Sequence, residues 1–165
     1  MKKVLALVVV FLLMPLFAIA DSNRIFDNAG LFSKTETVEL DTAIKSFQEQ
    51  THFDFAILTT DDFLGSYNQK AVADSFYDSQ GFGFDSVNSG ILFYIDTNQG
   101  LNYLSTTGVL NELLADEEIT QKFLDTVNPT LNMDAFKDAA IATMEFFTEI
   151  SSEYLDKDAS IFSTK

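Results

Sequence analysis

The stretch Gly90-Ile91-Leu92-Phe93-Tyr94-Ile95 constrains this chain more than any other. It carries no charged or amide side chain, so it cannot be a strand with one wet face. A continuous apolar run of this length fits a strand buried on both faces, and such strands lie inside sheets that helices cover from both sides. The rest of the chain must supply those helices.

The flanking patterns do so. Ser33-Lys34-Thr35-Glu36 is a capping box with Ser33 as cap. Leu40, Ile44 and Phe47 follow at helical spacing. His52 to Thr60 reads as a strand, apolar after a brief alternation in which Asp54 falls on the solvent side. Ser66-Tyr67-Asn68-Gln69 gives a second capping box, with Ala71 and Phe76 on the buried face of its helix and Asp74 on the polar side. Gly81 and Gly83 end that helix. Gly90 to Asp96 is the second strand, "DTNQG" a hairpin loop, and Leu101 to Thr106 the return strand. Asp116 caps a third helix that carries Ile119, Phe123 and Val127 on one face and stops at Pro129. The last helix runs from about Asp134 to Leu155, with Phe136, Ala140, Met144, Phe147, Ile150 and Tyr154 in one stripe. The order is helix, strand, helix, strand, strand, helix, helix. It predicts an α/β fold, a three-layer α/β/α sandwich on a small mixed sheet, with a right-handed parallel crossover between the first two strands.

The chain opens "MKKVLALVVVFLLMPLFAIADSN". Two lysines, a short apolar run broken by Pro15 and the small-x-small end Ala18-Ile19-Ala20 have the three parts of a cleavable secretory signal. Residues 1–20 are read as that signal, 21–155 as one domain and 156–165 as a polar tail. The expected location is therefore outside the cytoplasm, periplasmic or secreted, with no stable membrane anchor after cleavage.

Charge and composition exclude several functions. The net charge is −15, and loss of Lys2 and Lys3 with the signal makes it two units more negative. Nucleic acid and anionic membrane surfaces would repel such a chain. There is no cysteine, so cysteine nucleophiles, cysteine–zinc sites and iron–sulfur clusters are absent. Phosphate-loop, zinc-protease and nucleophile-elbow motifs are missing. "GFGFDS" lacks the third glycine of a dinucleotide fingerprint and stands before a strand instead of a helix. The sole histidine, His52, sits at the start of a strand, where it reads as a strand-edge residue. Asp61 and Asp62 end the first strand, the edge at which open α/β sheets bind ligands. The sole arginine, Arg24, leaves no evident clamp for phosphate.

Five segments together resemble the TPM domain family: "RIFDNAGLFSKTE", "FDFAILTTDD", "AVADSFYDSQGFGFDSVNSGILFYI", "YLSTTGVLNELLADEEI" and "MDAFKDAAIATMEFF". That family includes thylakoid lumen proteins linked to photosystem II repair and many exported bacterial proteins. The resemblance implies a Rossmann-like α/β/α sandwich. It implies a binding or accessory module that acts through a protein partner, with weak metal-assisted acid phosphatase activity on phosphate monoesters as the alternative. It implies calcium as the cation. The family's acidic and amide positions fall on Asp27, Asp85, Asn88 and Asp116, which become the candidate metal ligands. Asn111 stands where other branches carry a glutamate.

Overall fold

The computed structural model describes residues 23–62, 68–84 and 87–157, with residues 153–157 as backbone alone. The proposed signal, Ser66, Asp85 and the side chain of Tyr154 lie outside the described residues.

The chain runs β1 (Ile25–Asp27), α1 (Lys34–Thr51), β2 (Asp54–Thr60), α2 (Gln69–Gln80), β3 (Gly90–Asp96), β4 (Leu101–Thr107), α3 (Val109–Leu113), α4 (Glu117–Leu131) and α5 (Phe136–Lys157). The sheet order is β1-β2-β3-β4. β1, β2 and β3 are parallel and β4 returns antiparallel to β3. This is the expected mixed sheet, widened by a strand, β1, too short to leave a sequence period. α3 is likewise an addition.

Alternation along the central strands divides the core in two. Phe55, Ile57, Ile91, Phe93 and Ile95 pack with α1, α4 and α5 on one face. Ala56, Leu58, Leu92 and Tyr94 pack with Ala73 and Tyr77 of α2 on the other. Both faces of β2 and β3 are thus buried, as the apolar run requires. A side chain such as Phe55 or Ile91 gains about 1.5–3 kcal/mol from that burial, so the two central strands carry much of the stability.

The placement of α1 and α2 has a topological consequence. Both crossovers, β1-α1-β2 and β2-α2-β3, step the same way across a parallel sheet. Their helices lie on opposite faces. The two crossovers are therefore of opposite hand, and one of them departs from the right-handed rule.

Several local expectations are corrected. His52 is the C-cap of α1, in the left-handed region at φ 57°, not a strand residue. Asn68, not Ser66, caps α2, its side chain accepting from the Ala71 N–H. Tyr77 and Ala73 form the buried face of α2, while Ala71 is exposed. Pro129 lies inside α4, near its end, where losing one hydrogen bond leaves the last turn intact. α5 starts at Phe136, because Asp134 takes a left-handed φ of 54°. The capping box at Ser33 and Glu36 is formed as expected.

Candidate functional site

The polar groups gather at the two ends of the parallel strands. At the amino end Asp54 is wholly buried, not turned to solvent as its alternation suggested. Arg24 donates from Nε to Oδ1 at 2.7 Å and from Nη2 to Oδ2 at 2.8 Å. Gln48 Nε2 and the Phe55 N–H also donate to Oδ1, and the Gly83 N–H donates to Oδ2. The guanidinium lies 4.5 Å from the Phe82 ring centroid. A buried carboxylate needs a cation and filled lone pairs, and this one has both. The sole arginine is therefore committed to the fold.

The neighbouring "NSG" knot serves the backbone. Asn88 takes φ 54°, and its carbonyl accepts from Tyr77 Oη at 3.3 Å and Thr107 Oγ1 at 2.5 Å. Ser89 is buried, and its Oγ accepts from the Val109 N–H at 3.1 Å. A Cβ on Gly90 would lie 2.0 Å from Tyr77 Oη, and one on Gly83 would lie 2.4 Å from the Asn88 backbone. Chain segments meet here so closely that neither Gly83 nor Gly90 has room for a Cβ.

Beside this knot, Asp74 of α2 is only half-exposed; it accepts from Ser105 Oγ of β4 at 2.5 Å and pairs with Lys70. Partial burial works to raise its carboxyl. The hydrogen bonds from Lys70 and Ser105 and the charge of Lys70 outweigh that and hold it below the ordinary carboxylate range.

At the carboxyl end, β1 and β2 are adjacent and lead to helices on opposite faces. Such a divergence opens the crevice in which α/β sheets place ligands. Asp27 sits there. Its Oδ1 accepts from the Leu31 N–H at 2.9 Å and Thr59 Oγ1 at 2.7 Å, and its Oδ2 accepts from the Phe32 N–H at 3.0 Å. Thr59 Oγ1 accepts in turn from the Ala29 N–H. The carboxylate thus fastens the exit of β1 to β2. Asp61 and Asp62 follow, both exposed.

The candidate ligands do not close around one ion as a set of four. Asp27 pairs with Thr59 in register, whereas Asn88 precedes Gly90, which pairs with Asp54. Five residues of strand, about 16 Å, separate those levels. Asp116 is exposed and caps α4, its Oδ1 accepting from the Glu118 and Ile119 N–H groups at 2.9 and 3.3 Å. Asp85 lies outside the described residues. Among the described residues no three acidic or histidine side chains cluster as a metal site would need. Asp27 and Asn88 are too far apart to serve one calcium ion, which takes six to eight oxygens, together.

A different polar site lies at the carboxyl end of β3. A cavity of about 510 Å³ is lined by Asp96, Thr97, Asn102, Asn132 and Asp134 over an apolar floor that includes Phe136. Asp96 is wholly buried, and its Oδ1 accepts from the Gln99 N–H at 3.1 Å. Sequence reading missed both buried carboxylates. The signal for Asp54 was its position in an otherwise apolar strand, which demands a cation; Asp96 ends the apolar run itself and reads as the start of the turn.

A family model for the TPM domain matches residues 25–149. No curated protein matches the chain. Several solved structures share the fold, three of them as follows. The BA42 protein of the psychrophilic bacterium Bizionia argentinensis superposes with a TM-score of 0.65 at 10% identity, over 74% of this chain and 83% of that one. The N-terminal domain of a P. gingivalis protein gives 0.65 at 19% identity, over 81% and 87%. The N-terminal domain of the Corynebacterium glutamicum cg2496 protein gives 0.60 at 13% identity, over 91% and 88%. No described helix is long and apolar enough to cross a membrane.

Proposed function

The chain belongs to the TPM domain family, and from that premise we propose that it is an exported accessory module, working outside the cytoplasmic membrane by binding a protein partner. One observation carries the reading. Three described side chains that a phosphate or metal chemistry would recruit are already engaged within the fold. Arg24 is locked on Asp54, and the carboxylates of Asp27 and Asp116 are occupied by backbone N–H groups. A phosphatase must stabilise charge that develops on a phosphoryl group, by arginine, lysine or a metal. Asp61 and Asp62, which follow β2 at the same end of the sheet, add negative charge there. Calcium has no part in the proposal, since Asp27 and Asn88 lie at opposite ends of the parallel strands.

The test uses one preparation of residues 21–165 and two readouts. Hydrolysis of p-nitrophenyl phosphate, with calcium or magnesium added, should not exceed the buffer blank. Crosslinking in the living cell should yield one partner at fixed stoichiometry. Turnover that disappears on substituting a single carboxylate would overturn the reading.

A further inference from the structure

The two edges of the sheet are unequal. β1 offers three residues. β4 offers seven, Leu101–Thr107, with no charge and no proline, in unbroken register against β3. Proteins ordinarily blunt such an edge with lysine, proline or a bulge, because its outward N–H and C=O groups are a template for another strand. Among the described residues, β4 forms backbone hydrogen bonds only within its ladder to β3. Its far end is tied to α3, where Thr106 Oγ1 bonds Asn111 Oδ1 at 2.7 Å. Its near end is open, with Leu101 40% exposed.

The acidic cavity stands beside that open end. Asn102 lines it and pairs with Ile95, which lines it too. Side chains directly opposite each other across a ladder share a face. A residue added on the outer side of Asn102 would therefore point its side chain along the face of Ile95 and Asn102, where Asp134 lines the cavity; the Asp96 side chain alternates to the other face. No lysine, arginine or histidine lines the cavity. A cationic side chain would be complementary, and an anionic one would be refused.

We propose that the free edge of β4 takes up an extended segment of the partner protein as a fifth strand, and that a lysine or arginine of this segment enters the cavity beside Asn102. Main-chain hydrogen bonds give affinity in such strand addition, and pockets at alternate positions give specificity. The inference rests on the binding reading above and names its surface. A second copy of this chain is the poorer occupant, because each copy carries a net charge of −15.

The experiment titrates ¹⁵N-labelled residues 21–165 with a blocked peptide, Thr-Val-Thr-Lys-Val-Thr, and with its Lys→Glu counterpart. The amides of Leu101 to Ser105 should shift and exchange at least tenfold more slowly with the lysine peptide. Affinity should fall at least tenfold for the glutamate peptide and for the Asn102→Lys variant. No response in those amides at millimolar peptide, or equal affinity for both peptides, overturns the proposal. Protection of the same amides that rises with protein concentration alone overturns the partner assignment in favour of a second copy. If the Asn102→Lys variant still crosslinks its cellular partner at the wild-type yield, binding stands and the β4 edge is the wrong surface.

Discussion

Arg24, just before the edge strand β1, grips Asp54 at the start of β2 through two hydrogen bonds of 2.7 and 2.8 Å, and Asp54 is wholly buried. The pair joins β1 to the amino end of β2, while the same carboxylate holds α1 through Gln48 and the turn after α2 through Gly83. One buried charge thus ties four segments together.

Removing the cation should be costly. Arg24→Leu leaves Asp54 with an unmatched buried charge, and such losses cost about 3–5 kcal/mol. Urea denaturation should report a drop of that order. Restoring a neutral partner with Arg24→Leu and Asp54→Asn together should recover part of it. A loss below about 1 kcal/mol would mean that the pair is solvated.

A methyl group at Gly90 should also destabilise. The added Cβ would lie 2.0 Å from Tyr77 Oη and 2.8 Å from the Asp54 carbonyl. Overpacking of this kind costs about 1–3 kcal/mol. Thermal denaturation of Gly90→Ala should show the loss, and adding Tyr77→Phe should return only a part, since the backbone contact remains.

Asp74 predicts a pH dependence with a definite sign. Its carboxyl is held below the ordinary value by Lys70 and Ser105 against the opposing effect of burial. A folded-state value below the unfolded one gives stability that is present above the unfolded value and lost as pH falls through the folded one. Denaturant midpoints should therefore fall less steeply for Asp74→Asn than for wild type below about pH 4. Parallel acid limbs would show that the carboxylate titrates alike in both states.

Sequence pattern reached the sheet and its layers because β2 and β3 are apolar on both faces and α1 has a formed capping box. It missed β1, whose three residues span less than two periods of alternation, and α3, a single short turn after Gly108. It mistook Asp54 for a solvent residue because period-two alternation assigns a face without saying what covers it. The candidate ligands were each legible as polar residues near turns. Their separation was not, because register between strands fixes it: Asp27 lies level with Thr59, and Gly90 with Asp54. The acidic cavity joins β3, β4 and the turn before α5, a juxtaposition that no local pattern encodes.

Asp27 should prove structural. Asp27→Ala removes the acceptor for the Leu31 and Phe32 N–H groups and for Thr59 Oγ1. Loss of a cap and its charge-assisted bonds costs about 1–2 kcal/mol. Chemical denaturation should show that loss, with the cellular crosslink to the partner unchanged. A variant of full stability that fails to crosslink would instead place Asp27 in the binding surface.

The most direct measurement is calorimetric titration of chelator-stripped residues 21–165 with calcium, with magnesium alongside. With Asp27 and Asp116 serving as backbone caps at separate places in the fold, the account predicts only weak heats that added salt suppresses. One calcium per chain at micromolar affinity, lost in Asp27→Ala or Asp116→Ala, would contradict it.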